Sequence, residues 1–223
     1  SVFYSRTNSE LEATRDVFLQ DNLLEQTSDE VEAQLNLRPS DAAAFTLGAG
    51  WYGYEFSRTP LTPGPFNTAS SKEFGYWSLF GQADLDLPAN FNLIASGRYD
   101  GHDSFESKAT YSVMLSNRIE ATNTQVFAKI ATGYKAPSGQ DFVFLDPSVD
   151  PDSLLPEESQ SWEAGVRQFL PGGAGSLAVT FFQADIENLV DSFGFPAFPA
   201  SVDTETQGIE LETVLTPVDG LSF

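Results

Sequence analysis

The sequence predicts an all-β chain, an antiparallel transmembrane β-barrel of about eleven strands belonging to a larger barrel, and three observations carry that prediction. Short turn signals near Pro39, Pro88, Asn123, Pro171 and Pro217 punctuate the chain, and between successive turns lie two alternating runs joined by a longer loop. That rhythm suits short periplasmic turns on one side of a membrane and long extracellular loops on the other. Within the runs, apolar and polar residues alternate with period two, so each run has a greasy face and a wet one. No apolar run approaches the ~20 residues of a membrane helix, so a membrane crossing by this chain requires strands.

Taken in order, the first run covers residues 1–8 and the second 27–37, where Val31, Ala33, Leu35 and Leu37 share one face against Glu30, Glu32, Gln34 and Asn36. The loop between them carries Glu10, Glu12, Asp16, Asp21 and Glu25, and its stretch around Leu11 to Leu24 suggests a helical turn. Run 42–57 follows Pro39, and a loop containing Pro60, Pro63, Gly64 and Pro65 separates it from run 73–87. Runs 91–100 and 108–118 flank a short loop. In the second of these, Tyr111, Val113 and Leu115 oppose Thr110, Ser112, Ser116 and Arg118. Runs 124–134 and 159–169 enclose the longest loop, 135–158, with its acids Asp141, Asp146, Asp150, Asp152, Glu157 and Glu158. Pro171 with Gly172, Gly173, Ala174 and Gly175 makes a tight turn into run 176–186. After loop 187–203 comes run 204–216, where Ile209, Leu211, Thr213 and Leu215 face away from Gly208, Glu210 and Glu212. An eleventh strand begins at Leu221. Because Ser1 is not an initiator Met and the last run has only begun, residues 1–223 read as part of a barrel domain, with two strand edges left open.

Charged residues within the runs sort by face. Asp84, Asp86, Arg98, Lys129, Glu163, Arg167, Glu210 and Glu212 lie opposite Leu85, Leu93, Val126, Val166 and Leu211, which gives a polar lumen and an apolar exterior. Phe80, Ile94, Met114 and Phe182 point inward in this register, and Glu55 points outward near a loop end. Trp51, Tyr54, Trp77, Tyr99, Tyr134 and Trp162 fall near run ends, where rings that are half wet form a girdle at the membrane interface. A soluble sandwich would use the same rings as core. A β-propeller would divide each interval into four short strands and repeat a blade signature, which this chain does not.

With 32 acidic residues against 11 basic ones, the formal charge of -21 argues against nucleic acid as a partner. Cysteine is absent, which excludes disulfides and thiolate metal sites. Asp146 to Asp152 is the nearest approach to a calcium loop, but it lacks the central glycine and terminal Glu, so no metal site is assigned. His102 is the single histidine and sits after Asp100-Gly101, so no catalytic triad can be assembled around it. The Gly-rich turn after Pro171 precedes a strand, not a helix, and cradles no phosphate. The sequence therefore points away from an enzyme and names no cofactor.

From Thr124 to Glu212, four segments in order resemble the boxes of TonB-dependent outer-membrane receptors. They are Phe127-Ala128-Lys129-Ile130-Ala131-Thr132-Gly133-Tyr134-Lys135-Ala136-Pro137-Ser138, then Pro156-Glu157-Glu158-Ser159 leading into Trp162-Glu163-Ala164-Gly165, then Phe182-Gln183-Ala184-Asp185-Ile186-Glu187-Asn188-Leu189-Val190, and lastly Gly208-Ile209-Glu210-Leu211-Glu212. Gly97-Arg98-Tyr99-Asp100 echoes the same barrel upstream. The resemblance implies a barrel of about 22 strands closed around an N-terminal plug. It also implies a place in outer-membrane lipid and uptake of a scarce extracellular small-molecule ligand, such as a ferric siderophore, haem or cobalamin, energised by TonB acting through the plug. The plug and the final barrel strands would lie outside these residues. A passive porin or adhesin barrel, or a secreted soluble carbohydrate-binding β-protein, are the alternatives. Gln140, Asp141, Phe142 and Phe144 are the expected ligand contacts, because large apolar side chains in a loop rich in Pro and Asp gain from burial against a ligand or plug.

Overall fold

A computed structural model describes residues 1–13, 22–61, 69–104, 106–138, 155–191 and 200–216. Among these residues ten strands form in chain order: β1 (Val2–Ala13), β2 (Asn22–Ser40), β3 (Ala43–Pro60), β4 (Ser70–Leu87), β5 (Phe91–His102), β6 (Lys108–Ile119), β7 (Thr124–Lys135), β8 (Glu157–Phe169), β9 (Gly175–Asp191) and β10 (Ala200–Leu215). All ten join one antiparallel sheet whose spatial order is the chain order. The expected eleventh strand and the turn at Pro217 lie outside the described residues.

The tight turns follow from backbone chemistry. Ala89 and Asn90 both have positive φ, 60° and 61°, the mirror-image turn whose twist matches its flanking strands. Asn123 takes φ 56° and its N–H donates to Glu120 O at 3.1 Å, while Gly172 and Gly173 supply φ of 67° and 74° after Pro171. At the opposite end the strands run further than the sequence suggests. Pairing of β1 with β2 continues through Leu11↔Leu24 to Ala13↔Asn22, so residues 11–13 and 22–24 are strand and not a helical turn. β3 likewise reaches Pro60, β9 reaches Asp191, and β10 begins at Ala200. Their backbone N–H and C=O groups pair across the ladder. They read as loop because charged residues, Pro and Asn interrupt the short apolar–polar alternation there, leaving too few consecutive positions for a period of two to show.

The two faces of the sheet are as unlike as the alternation predicts. Leu35, Leu47, Leu79, Leu115, Val166, Ile209 and Leu211 are exposed on one face, Leu211 at 74%. On the other, Phe74, Ser78, Asp100, Ser116 and Ala178 are buried, since the sheet curls around that side. Ion pairs line the inner face: Arg98 with Asp100, Lys129 with Glu163 at 3.4 Å, and Arg167 with Glu212 through two parallel contacts of 3.1 and 3.2 Å.

Three aromatic rings on the polar side have a specific reason to be there. Phe80 faces Gly48 across β3 and β4, Phe127 faces Gly165 across β7 and β8, and Phe182 faces Gly208 across β9 and β10. Each ring occupies the space a Cβ on its partner glycine would need. A ring laid over a bare strand covers backbone that would otherwise be loosely packed. Gly48→Val is therefore expected to lower the yield of folded barrel, and adding Phe80→Ala to restore much of it, as read from heat-modifiable gel mobility of the full receptor. A second substitution that fails to rescue the first would show that the ring is not the obstacle.

Candidate functional site

The strand ends that carry the long loops bring aromatic side chains together on the inner face. On β3, Tyr52, Tyr54 and Phe56 alternate onto that face, and β4 places Tyr76 opposite Tyr52 and Phe74 opposite Tyr54. β5 adds His102 opposite Tyr76. Ring centroids of Tyr52 and Tyr76 are 5.3 Å apart, those of Tyr54 and Phe74 stack at 4.8 Å, and Tyr76 and His102 lie 4.9 Å apart. These spacings fall in the range where aromatic pairs attract. With Gln26 and Ala136, Pro137 and Ser138, the rings enclose an open hollow of about 330 Å³.

A polar step lies beneath it. Tyr76, Arg98, Asp100, Thr110, Gly133 and Tyr134 line a second hollow of about 300 Å³. Arg98 Nε donates to both carboxylate oxygens of Asp100, at 2.9 and 3.0 Å, and Asp100 is only 2% exposed. A carboxylate so enclosed requires such a partner. His102 Nε2 and the Tyr134 hydroxyl are hydrogen-bonded at 2.9 Å.

Trp51, Trp77, Tyr99 and Trp162 all stand exposed on the apolar face. Trp77 packs 5.4 Å from Tyr99, and Trp162 packs 5.1 Å from Phe181. Tyr134 stands apart from them: its ring meets His102 edge-on and its hydroxyl serves the polar step. The β6–β7 register ends at Ser112↔Ala131, and the Tyr111 N–H donates to the Thr132 hydroxyl, while β7 stays paired with β8 through Tyr134↔Glu158. Tyr54, grouped by sequence with the girdle, faces inward. Gln140, Asp141, Phe142 and Phe144 lie outside the described residues, which end next to them at Ser138 in the wall of the hollow. The inner rings Tyr52, Phe74 and Tyr76 were missed, although on β4 Phe74 and Tyr76 share a parity with the lumenal Asp84 and Asp86, which was the available signal there. What the site offers chemically is a set of ring faces for stacking and a few hydroxyl and imidazole groups for orientation.

An up-and-down sheet with an apolar exterior, exposed aromatic rings on that face, an ion-paired interior, and tight turns opposite long loops is the wall of an outer-membrane β-barrel. Residues 1–221 match the TonB dependent receptor-like β-barrel family, and the chain belongs to it. Like that family, it resides in the bacterial outer membrane. A curated relative, the vitamin B12 transporter BtuB of Vibrio vulnificus (strain YJ016), is 29% identical over 125 residues, 54% of this chain and 20% of that protein. Among solved structures, a variant of the Pseudomonas aeruginosa ferric enterobactin receptor PfeA in complex with enterobactin superposes with a TM-score of 0.69 at 20% identity, covering 99% of this chain and 39% of that one. The P. aeruginosa ferripyoverdine receptor superposes with a TM-score of 0.70 at 14% identity, covering 98% and 36%. The copper transporter OprC gives a TM-score of 0.75 at 11% identity, covering 96% and 40%. The chain thus spans one fifth of the curated relative and about two fifths of these structures. The proteins it is similar to are receptors and transporters, not enzymes.

Proposed function

We propose that the chain is barrel wall of a receptor that captures a scarce ligand, such as a ferric siderophore, haem or cobalamin, for TonB-energised uptake. The observation that carries this reading is the aromatic hollow at the loop end of the inner face. A plain channel wall has no use for five rings and an imidazole gathered at its mouth, whereas a capture site buries ring surface against its ligand. The vitamin B12 transporter and the enterobactin-bound receptor are consistent with it. Gln140, Asp141, Phe142 and Phe144 are assigned the outer contacts of the same ligand, since their segment leaves the hollow at Ser138. TonB engages the plug, and the polar inner wall faces that plug.

The test uses the full receptor in whole cells. Tyr52→Ala with Tyr76→Ala is expected to weaken ligand binding at least about fivefold, two ring contacts being worth about 1–3 kcal/mol together, with no loss of assembled barrel. Gly/Ser replacement of residues 140–144 is expected to weaken it as well. Deleting TonB is expected to abolish accumulation while sparing surface binding. Accumulation that persists without TonB would mark a passive porin.

A further inference from the structure

We infer that the loop end of the β6–β7 seam is a two-state element, in which Tyr134 moves between an inner latch on His102 and the outer aromatic face and carries residues 136–138 with it. β6 and β7 pair from Ile119↔Thr124 up to Ser112↔Ala131 and then part. Both remain strand beyond that point, yet among the described residues no ladder pair joins 108–111 to 132–135. β6 stays paired with β5 as far as Asp100↔Lys108, and β7 with β8 as far as Lys135↔Glu157. The sheet is therefore split between two intact pairs. Across the split the Tyr111 N–H donates to the Thr132 hydroxyl at 3.0 Å, a side chain standing in for a ladder carbonyl.

The end of the β7–β8 pair has rolled inward. Counted along β7, Tyr134 shares parity with the outward Val126, and its partner Glu158 shares parity with the outward Trp162 and Val166. Both nevertheless reach inward-facing groups across the seam: the Tyr134 hydroxyl meets His102 Nε2 at 2.9 Å, and Glu158 meets Lys108 Nζ at 2.6 Å. Pro137 is buried, and with Ala136 and Ser138 it walls the hollow that Phe74, Tyr76 and His102 line. Thr110 and Gly133 both line the polar hollow below.

Side-chain size on the two strands does not prevent closure. Continuing the register would set Thr110 against Gly133 and Ala109 against Tyr134, and would turn Tyr134 out onto the face that carries Tyr99. Closure gains ladder hydrogen bonds. The split gains the latch and keeps Lys108 from standing directly opposite Lys135, which is instead 3.1 Å from Glu157. Gains of similar kind on both sides give two discrete arrangements of one packed element. Residues 136–138 form a wall of the aromatic hollow while the seam is split, so the seam decides whether that hollow is complete.

The test uses full receptor in outer membranes, free of other cysteines, carrying Thr110→Cys with Gly133→Cys; residues 1–223 contain no native cysteine. In the closed seam these positions face each other closely enough for a disulfide. Crosslinking under mild oxidation is read in folded receptor, selected by heat-modifiable mobility, from the thiols left to react with maleimide-polyethylene glycol. It is expected to be slow, and about fivefold faster once Tyr134→Phe removes one net hydrogen bond from the latch. Ser112→Cys with Ala131→Cys, already opposite in the ladder, is expected to crosslink at one rate in both backgrounds. A bimane on Ser138→Cys, quenched by nearby tyrosine, is expected to brighten with Tyr134→Phe as residues 136–138 leave the rings. Rapid and complete crosslinking before Tyr134 is changed, a rate unaffected by Tyr134→Phe, equal acceleration of both pairs, or unchanged bimane emission would each overturn the inference. None of these readouts involves a ligand or TonB, so their outcome is independent of the receptor reading.

Discussion

Leu211→Arg is expected to lower the amount of folded receptor in outer membranes far more than Glu210→Arg does. The two residues are neighbours on β10, yet Leu211 is 74% exposed on the apolar face while Glu210 pairs with Thr180 on the face that carries Arg167 and Glu212. An arginine on the lipid face near mid-membrane costs about 2–4 kcal/mol, whereas the inner face is already polar and ion-paired. Folded and unfolded receptor separated by heat-modifiable gel mobility gives the readout. Equal yields for the two variants would mean that the register is off by one residue, since a slip of one exchanges the faces.

Gly175→Ala is expected to destabilise the barrel by about 3 kcal/mol or more, against about 1 kcal/mol for Gly173→Ala. Gly175 begins β9 with φ of 139°, a region that side chains rarely enter, and an added Cβ would strike the carbonyl oxygen of Val214 on β10. Backbone paired in a ladder cannot yield as a side chain would. Gly173 also has positive φ, 74°, but nothing lies within 4 Å of the position its Cβ would take. Urea unfolding midpoints of the full receptor in detergent, followed by tryptophan fluorescence, would separate the two. Indistinguishable midpoints would show that the turn after Pro171 does not constrain the β9–β10 pair.

The spanning parts of the strands, the tight turns and the facing of most spanning residues were legible because they rest on local features. A period of two needs only a handful of consecutive residues, and positive φ at a turn announces itself through Gly and Asn. The reading weakened where its signal does. At residues 9–13 and 22–26 the acids Glu10, Glu12 and Glu25 dominate and only a few apolar residues alternate with them, so the ladder Ser9↔Gln26 to Ala13↔Asn22 looked like an acidic loop. Inward Phe80 and Phe182 looked like exceptions to a polar lumen, because a ring covering Gly48 or Gly208 depends on which residues stand opposite, not on the order along one strand.

By itself, then, the sequence determined an all-β membrane wall, its inner and outer faces, and, through four boxes in order, its family. Tertiary structure alone decided the mouth. Tyr52, Tyr76 and His102 come from three strands, and only the registers Tyr52↔Tyr76 and Tyr76↔His102 set them side by side. Tyr134 joins them through the hydrogen bond between its hydroxyl and His102 Nε2, a contact between β5 and β7 that the alternation of neither strand shows. Faces are a property of one chain segment; a binding site is a property of the register between several.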